Sequence, residues 1–534
     1  MQRVSSSLNK IISINSLFYL MLLAFSVATF YAMGMRGAVL ASVITTFVSF
    51  LLVNRMPKKF FILYTSVIFL VSLFLLPNTM IYGRLSLGMV MSMMQTDVRE
   101  TYEYLTNIPV KSLLLSLAYI VLFILLLYTY RLYKPDAKAK TNTLIFNLLL
   151  FFIGIFYNPI TNYAENKTKD YVESMAFSYY PPVKFAFSTY HHLRTYKQEK
   201  ERLVNAQHIP STWEVLSAQP TYKNYIVIIG ESARRDYHSL YGYPVNTNPF
   251  MSSVNATIFN HYISPASYTV TSIKRMLIQN DKKSFNYPNT VVTLANSAGF
   301  ETYWLSNQGY LGRFDTDASL IALNAKHTFF ANKLDYSSSA SSDLTLLPEL
   351  KKVIAQKTDK PKVIFMHLIG SHSRFCRRLD ENYKITPITG VINKEMSCYL
   401  TSLLQTDKLI ETTYRMLQQN QESFSIMYFS DHGQGHRDKG HFYVGLRHSE
   451  NTKQGYDVPM IVMSSDDNGR KFIHAKKSGF NFIRQFSEWT RIKTKGTDLK
   501  QHFFTEEQPK KIQVFAEQLI DYDDLPDDPA MRPQ

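Results

Sequence analysis

The sequence predicts a five-helix transmembrane domain followed by an exported α/β domain with a mostly parallel central sheet. Five long runs without a charged residue lie in the first 163 positions. From residue 225 onward, short apolar runs alternate with helix-like segments, and several of these runs end in acidic residues or histidines. With 534 residues, of which 46% are hydrophobic, the chain is too long for one ordinary domain and too apolar to be mainly disordered.

The uncharged runs have the length of membrane-spanning helices. A helix needs about 20 apolar residues to cross a hydrocarbon core of about 30 Å. One such run can be a buried core helix, but five in succession indicate a membrane domain. The first is too long for a signal peptide and lacks an Ala-x-Ala-like cleavage site, so we expect an uncleaved anchor. The runs are Ile11–Met35, Gly37–Asn54, Phe60–Gly83, Ser112–Tyr130 and Thr141–Tyr163.

Basic residues in the connections predict the orientation of these helices. Lysines and arginines concentrate in the N-terminal tail and in the second and fourth connections, which share one side if there are five spans. The positive-inside tendency makes that side cytoplasmic and places everything after residue 163 outside the cytoplasm. The basic residues are Arg3, Lys10, Arg55, Lys58, Lys59, Arg131, Lys134, Lys138 and Lys140.

Charge and cysteine content narrow the partners and the compartment. The net charge of +16 is spread without a dense basic block, so it predicts no nucleic-acid partner. A basic exported domain beside a membrane suits membrane lipids and anionic glycolipids, although a generally solvated basic surface has the same charge. Both cysteines, Cys376 and Cys398, lie in the exported half. An oxidising compartment permits a disulfide between them, which their spacing does not establish.

Three segments follow from this division: a transmembrane domain (1–163), a connector with interfacial helices (164–215) and an α/β domain (216–534). In the last, the runs Tyr225–Ile229, Thr302–Leu305, Val363–Ile369, Phe424–Phe429 and Val458–Met463 predict buried strands. Helix-like segments near Thr290–Ser297, Leu346–Lys357 and Thr401–Gln418 separate them. This alternation predicts a mostly parallel sheet, which gathers ligands at the carboxyl ends of its strands.

Three metal-binding side chains directly follow predicted strands. Glu231 comes after the first strand, and Asp431 and His432 come after the strand near residue 429. Two carboxylates and an imidazole are the protein part of a zinc site that leaves a position for a hydroxyl or water. Taken alone, each has a plainer explanation: a carboxylate after a strand is often a helix cap, and Asp-His-Gly is often a turn. Because all three side chains follow the ends of predicted strands, a metal centre is favoured.

At these positions the sequence resembles the membrane-anchored phosphoethanolamine transferases of the alkaline phosphatase and sulfatase superfamily. The resemblance covers nearly the whole chain, including the five uncharged runs. It is carried, in order, by Gly230-Glu231-Ser232 with Leu240–Pro244 and Thr247–Pro249, by Trp304–Gln308, by His367–His372 and by Ser430–Gly433. The implied fold is an alkaline-phosphatase-like periplasmic domain anchored in the bacterial inner membrane.

The resemblance also implies a nucleophilic threonine that completes the zinc site of Glu231, Asp431 and His432. Thr269 aligns best, in a Pro-x-x-Tyr-Thr pattern before a helix-like segment, while Ser267, Thr271 and Ser272 remain alternatives. A hydroxyl at this place can equally be a helix N-cap. Zinc coordination would activate the threonine, which would attack phosphatidylethanolamine and carry phosphoethanolamine to an acceptor glycolipid or glycan.

Two histidines are implied as catalytic partners of the threonine. His372 matches a family histidine and is the first candidate for a proton donor or a phosphoryl-binding group. His441 is the second. The loop after Gly433 departs from the family, because Gln434 replaces a common Glu, so His448 is the alternative to His441. The nucleophile segment also lacks the disulfides of several family members.

A segment of the membrane half resembles the family's lipid-headgroup segment. Ser92, Thr96 and Glu100 fall on one face of a helix, and Glu100 could pair with the ethanolamine ammonium. Ser92 stands where family members commonly have Asn. An ordinary polar juxtamembrane helix is the plainer alternative.

Other functions remain open on the sequence. A phosphoglycerol transferase resembling the lipoteichoic-acid synthases shares the five-span plan and the threonine nucleophile. A catalytically silent glycolipid-binding envelope protein is a second alternative, although it would not need Glu231, Asp431 and His432. A sulfatase is not expected, because the chain has no C/S-x-P-x-R motif. The identity of the acceptor is left open.

Overall fold

The computed structural model describes residues 2–35, 37–83, 85–95, 101, 105, 108–134, 141–168, 170–308, 317–331, 342–383, 394–437, 445–495 and 502–532. Thr96, Glu100 and His441 lie outside these residues. The chain divides into two compact units, Met1–Val90 with Tyr102–Lys197 and Met91–Thr101 with Gln198–Gln534.

Apolar helices occupy all five predicted places in the N-terminal half. Four of them are long and apolar enough to cross a membrane. The helix Val39–Val53 has 15 residues, which extend about 23 Å, short of a core of about 30 Å. The predicted count of five spans is therefore not confirmed. The helices up to residue 206 are α1 (Gln2–Ala32), α2 (Val39–Val53), α3 (Lys58–Tyr82), α4 (Leu87–Gln95), α5 (Val110–Leu132), α6 (Thr141–Ala164), α7 (Tyr171–Ser174) and α8 (Pro181–Ala206).

Aromatic side chains fill the interior of the helical unit. Phe69 stacks on Phe123 with ring centroids 4.0 Å apart, and Phe25 stacks on Tyr119 at 5.4 Å. The Tyr119 hydroxyl lies 2.9 Å from Thr29 Oγ1, so this buried polar pair is satisfied inside the unit, as a lipid environment requires. Leucines such as Leu114 are exposed on the outer faces, which suits helices surrounded by lipid tails.

The second unit is built on a mixed sheet of nine strands among the residues described. Its order is β12-β3-β13-β9-β2-β8-β6-β7, with β14 paired to β3. These strands are β2 (Asn224–Gly230), β3 (Ala256–Ile263), β6 (Glu301–Ser306), β7 (His327–Phe330), β8 (Lys362–His367), β9 (Phe424–Ser430), β12 (Asp457–Val458), β13 (Met460–Ser464) and β14 (Arg470–Ser478).

The prediction of a mostly parallel sheet holds for the block β9-β2-β8-β6-β7, whose strands are all parallel. The exceptions are β13, which runs antiparallel to both β9 and β3, and β12, which runs antiparallel to β3, whereas β14 is parallel to β3; the sheet as a whole is mixed. The physical reason is the connection from β9: no α-helix of the described residues lies between β9 and β13 to carry the chain back across the sheet, so the chain re-enters from the edge where β9 ends.

Helices cover both faces of this sheet. Alternate β2 residues point to opposite sides: Tyr225, Val227 and Ile229 join one buried cluster, and Ile226 and Ile228 join the other. The first cluster includes helices α9, α10, α11 and α14, and the second includes α12 and α13. These helices are α9 (Thr269–Leu277), α10 (Val291–Ser297), α11 (Asp317–Ala322), α12 (Leu347–Ala355), α13 (Lys394–Gln419) and α14 (Phe482–Thr490).

Small hairpins and one disulfide complete the unit. Cys376 and Cys398 are bonded to each other, so the disulfide that an oxidising compartment permits is present and ties helix α13 to the loop after β8. The remaining strands pair two by two as β1 (Val215–Ala218) with β15 (Ile492–Thr494), β4 (Ile278–Asn280) with β5 (Phe285–Thr290), β10 (Gly435–Arg437) with β11 (Gly445–Arg447) and β16 (Gln513–Ala516) with β17 (Gln518–Asp521).

Candidate active site

Strand register brings the three predicted metal ligands together. β2 and β9 are neighbouring parallel strands in which Gly230 is level with Ser430. Glu231 directly follows Gly230 at the end of β2, and Asp431 and His432 directly follow Ser430 at the end of β9. Two carboxylates and an imidazole, about two hundred residues apart in sequence, therefore meet at one edge of the sheet.

The backbone at this edge is tightly constrained. Ser232, directly after Glu231, has a φ of 59° in the left-handed region. Gly370, in the loop after β8, has a φ of 46°, and a Cβ there would lie 2.9 Å from the backbone nitrogen of Glu231. Only glycine allows these two backbone segments to approach each other so closely. These constraints hold Glu231 in one orientation.

The ligand set fits a divalent cation. One ligand atom each from Glu231, Asp431 and His432 lies within 4.8 Å of the others, and all three residues are buried. Asp431 Oδ2 is buried with no hydrogen-bond partner among the described residues, as expected for an oxygen kept for a cation. His432 Nδ1 donates to the Gly433 carbonyl at 2.6 Å, which leaves Nε2 as the ligand atom.

The charges of these groups depend on one another. Burial favours a neutral Glu231, but the charge of His432 outweighs it, and the pKa of Glu231 lies well below its usual range. Burial and the nearby Glu231 charge raise the pKa of Asp431. Burial opposes charge on His432, but the two carboxylates outweigh it and raise the pKa of His432. A cation would let both carboxylates ionise beside a neutral imidazole, so its binding would release protons.

Thr269 is the hydroxyl that reaches this centre. Its Oγ1 donates to Glu231 Oε2 at 2.8 Å and lies 3.2 Å from His432 Nε2. Thr269 is the first residue of helix α9, whose N-cap is Tyr268, so the hydroxyl is not an N-cap. It is also half-buried, which leaves it accessible to a substrate.

The alternative hydroxyls are engaged or enclosed. Ser272 Oγ donates to the Asp431 carbonyl at 2.6 Å, and Thr271 Oγ1 donates to the Tyr268 carbonyl at 3.1 Å. Ser267 is fully buried. The contact of Ser272 ties the start of helix α9 to the segment after β9 that carries Asp431.

Two histidines border the metal ligands. The His448 ring lies 4.7 Å from that of His432 and stacks on Tyr268 at 4.5 Å, and its Nδ1 lies 3.1 Å from the Ser267 carbonyl. Burial lowers the pKa of His448 to about 3, so its ring is neutral. The half-buried His372 lies near enough for its charge to lower the pKa of Glu231. The structure thus brings the alternative, His448, to the site, while His441 lies outside the residues described.

Sequence reasoning gave no role to three further side chains around Glu231. Ser232 Oγ donates to Glu231 Oε1 at 2.6 Å. Gln308 Nε2 lies 3.4 Å from Glu231 Oε2 and donates to the Leu368 carbonyl at 2.8 Å. Asp343 accepts the backbone N–H groups of Ile369 and Gly370, both at 2.8 Å. Ser232 and Gln308 stand inside motifs already singled out, whereas Asp343 carries no sequence signal.

The C-terminal segment, residues 528–531, joins the two loops that carry the metal ligands. The Asp528 carboxylate accepts from the backbone N–H of His436 at 2.6 Å and lies 2.8 Å from His436 Nδ1. The buried Arg234, three residues after Glu231, donates to the Asp528 carbonyl at 2.5 Å. Tyr237 completes the cluster, with its hydroxyl 2.7 Å from His436 Nε2. This cluster has no counterpart in the sequence prediction.

The predicted lipid segment is not assembled by the described residues. Ser92 lies in helix α4, whereas Thr96 and Glu100 are outside them. The function of this segment stays a prediction.

The arrangement suits nucleophilic substitution at phosphorus. A hydroxyl lies against a cation site, where coordination can lower its pKa. It also stands at the N-terminus of a nine-residue helix, whose backbone N–H groups and dipole favour an anionic phosphoryl group.

Known proteins are similar to this chain in sequence and in fold. Residues 223–492 match the family described as Sulfatase. Phosphoethanolamine transferase OpgE of Escherichia coli (strain K12) is 34% identical over 460 residues, which cover 84% of each chain. The integral membrane protein lipooligosaccharide phosphoethanolamine transferase A (EptA) from Neisseria meningitidis has a similar fold, with a TM-score of 0.57 and 16% identity over 90% of this chain and 96% of that one. The C-terminal periplasmic domain of EptC from Escherichia coli, in complex with Zn, has a TM-score of 0.52 and 22% identity over 59% of this chain and 97% of that one.

Proposed function

Because the chain belongs to the phosphoethanolamine transferases of the sulfatase family, we propose that it transfers phosphoethanolamine from phosphatidylethanolamine to an envelope glycolipid or glycan through Thr269. The position of Thr269 Oγ1, 2.8 Å from Glu231 Oε2 and 3.2 Å from His432 Nε2, carries this proposal. Of the ligands, Ser264 and Ser272 contact only the backbone carbonyl of Asp431, whereas Thr269 Oγ1 contacts the ligand side chains themselves.

We propose that the metal of the site is zinc. Glu231, Asp431 and His432 would hold it, with Thr269 as the fourth ligand, a set of oxygen and nitrogen donors typical of zinc. The zinc complex of the EptC domain, which shares the fold, supports this choice. Bound there, zinc would lower the pKa of the Thr269 hydroxyl and would neutralise charge on the phosphoryl oxygens.

In the first half-reaction, Thr269 Oγ1 attacks the phosphorus of phosphatidylethanolamine. The bond from phosphorus to the diacylglycerol oxygen breaks, and phosphoethanolamine remains as an ester on Thr269. The net proton transfer of this half-reaction is from the threonine hydroxyl to the departing diacylglycerol oxygen. We assign that relay and the hydrogen bonds to the phosphoryl oxygens to His372 and His448, because His372 is close enough to act on the charge of Glu231 and the His448 ring lies 4.7 Å from that of His432.

In the second half-reaction, a hydroxyl or phosphate oxygen of the acceptor attacks the same phosphorus. The bond to Thr269 breaks and the threonine is regenerated, while the acceptor's proton, where it has one, returns to the threonine oxygen. The half-buried position of Thr269 suits such an exchange, because two substrates must reach it in turn.

We place the catalytic domain in the periplasm, anchored in the inner membrane by five spans with a cytoplasmic N-terminus. The basic connections and the four long apolar helices support this placement. We retain the domains 1–163, 164–215 and 216–534, and we assign the headgroup of the lipid donor to Ser92, Thr96 and Glu100.

Mass analysis of envelope glycolipids and glycans tests the proposal. Cells that carry the unaltered gene should show one species heavier by a phosphoethanolamine group, and cells with Thr269→Ala should lack it. A gain the size of phosphoglycerol would favour the related phosphoglycerol transferases. An unchanged gain in the Thr269→Ala cells would contradict the assigned nucleophile.

A further inference from the structure

A polar cleft of about 520 Å³ lies at the C-terminal end of helix α9, whose first residue is Thr269. One wall is the segment that directly continues this helix, residues 278–284. Phe480 and Asn481, which directly precede helix α14, Arg484 within that helix, and Trp213 also line the cleft. None of these residues belongs to the proposed zinc site.

The cleft lies at the edge of the sheet that carries the metal ligands. β14 is parallel to β3, and β3 is parallel to β9, since both run antiparallel to β13. Gly479, which follows β14, therefore lies at the edge where Asp431 follows β9. A Cβ on Gly479 would lie 2.8 Å from Pro265 Cδ, so this wall of the cleft packs against the loop that leads to Thr269.

Amide groups and aromatic rings line the cleft. Gln279 Oε1 accepts from Asn286 Nδ2 at 3.1 Å, which leaves Gln279 Nε2 and Asn286 Oδ1 without a partner among the described residues. Asn481 is the N-cap residue of helix α14, yet its side chain makes no capping hydrogen bond. The half-buried Trp213 and the buried Phe480 line the same cleft. Unengaged amides next to aromatic faces are the surface that a sugar ring, with hydroxyls at its rim and C–H groups on its faces, can occupy.

The charge of the cleft is positive. Arg484 is exposed and has no ion pair with any residue that the structure describes. Lys282 Nζ lies 5.7 Å from the centroid of the Phe480 ring and donates to Gln513 Oε1 at 3.1 Å. The one lining carboxylate, Asp281, already accepts the backbone N–H groups of Lys283 and Ser284. Arginine and lysine in this position favour a phosphate or carboxylate group.

We propose that this cleft binds the acceptor, an oligosaccharide that carries phosphate or carboxylate groups, and presents it to Thr269. The proposal rests on the proposed function, because it names where the second substrate of that reaction is held. The oligosaccharide can belong to a glycolipid or to a free periplasmic glycan, and both offer the same hydroxyls and charged groups to the cleft.

Glycan binding to the full-length, zinc-loaded chain in detergent tests the proposal without turnover. The probes are a phosphorylated core oligosaccharide released from lipopolysaccharide, the same oligosaccharide after phosphatase treatment, and the intact lipopolysaccharide. Arg484→Gln should weaken binding of the phosphorylated oligosaccharide about tenfold, and Lys282→Gln should weaken it in the same direction. Arg415→Gln, an exposed arginine of helix α13 outside the cleft, is the matched control and should leave binding unchanged.

Each outcome of this experiment has a consequence. Tighter binding of the phosphorylated than of the treated oligosaccharide, lost on Arg484→Gln, supports the cleft. Much tighter binding of intact lipopolysaccharide than of its oligosaccharide would identify the source as a glycolipid. No binding of any probe to the unaltered chain, or equal binding by the double variant Lys282→Gln, Arg484→Gln, would overturn the proposal. If those results coincide with phosphoethanolamine on Thr269, the cleft assignment alone fails; a chain that binds glycan here but never modifies Thr269 would instead contradict the proposed function.

Discussion

Replacing Asp528 by asparagine should weaken both the fold around the active site and its hold on the metal. The carboxylate receives the backbone N–H of His436 at 2.6 Å and His436 Nδ1 at 2.8 Å, and Arg234 Nη1 lies 3.4 Å away. Asp528 and Arg234 are both buried. These contacts tie the segment after Glu231 to the segment after His432.

The size of the effect follows from the contacts that are lost. Hydrogen bonds to a charged group contribute about 1.5–3 kcal/mol each, and removing one partner of a buried ion pair costs about 3–5 kcal/mol. Asparagine keeps one acceptor oxygen but no charge, so we expect a loss of about 3 kcal/mol, which corresponds to a fall in Tm of about 6 °C. Because Glu231 and His432 are then held less firmly, zinc affinity should fall about tenfold or more.

The pH dependence has a defined sign. Burial opposes ionisation of Asp528, but the hydrogen bond and charge of His436 outweigh it and keep its pKa below the ordinary value. An acid with a lowered pKa contributes stability above its unfolded pKa of about 4, and this contribution is lost as the pH falls. The difference in the free energy of unfolding between the unaltered chain and Asp528→Asn should therefore be largest at neutral pH and should shrink below about pH 4.

Thermal unfolding of the full-length chain in detergent, with zinc retention against a chelator, measures both effects. Asp527→Asn is the matched control, because this neighbouring side chain is 67% exposed and its nearest cation, Lys453, is 3.9 Å away. It should change neither quantity measurably. Equal Tm and equal zinc retention in the two variants would refute the role given to the C-terminal segment.

Three further outcomes are expected. Glu100→Ala should reduce turnover on membrane-embedded phosphatidylethanolamine and spare hydrolysis of a small soluble phosphoethanolamine ester; equal loss of both activities would mean that Glu100 serves the fold or the chemistry. Cys376 and Cys398 should resist alkylation in unfolded protein until a reductant is added, and free labelling without reductant would exclude the disulfide. His448→Gln should lower transfer about 10²-fold with zinc content unchanged, whereas loss of zinc would make His448 a ligand.

The sequence predicted the parts of the fold that depend on local pattern. The length of the uncharged runs located the apolar helices. Continuous apolar runs located β2, β8 and β9, because a strand that is buried on both faces does not alternate apolar with polar residues. Strands β3 and β14 were missed: Asn260, His261, Lys471 and Lys476 make them look polar, and only long-range pairing places them in the sheet. The antiparallel direction of β13 likewise depends on how the chain returns from the active-site loop.

The candidate site likewise has residues that the sequence predicted and residues that it did not. Glu231, Asp431 and His432 were found because strand ends gather ligands, and the register of β2 against β9 brings them together. The choice between His441 and His448 could not be made, since both follow Gly433 in a loop without a regular pattern. Asp528 was missed because its partners lie 92 and 294 residues away, and no local signal marks a contact at such distances.

Mass spectrometry of the peptide that contains Thr269 tests the central claim most directly. Zinc-loaded protein incubated with phosphatidylethanolamine and no acceptor should carry one phosphoethanolamine group on Thr269, and that group should disappear when acceptor is added. Asp431→Ala, which removes a metal ligand, should prevent the modification. Transfer that proceeds in Thr269→Ala, or a phosphoethanolamine group found on another residue, would contradict the account.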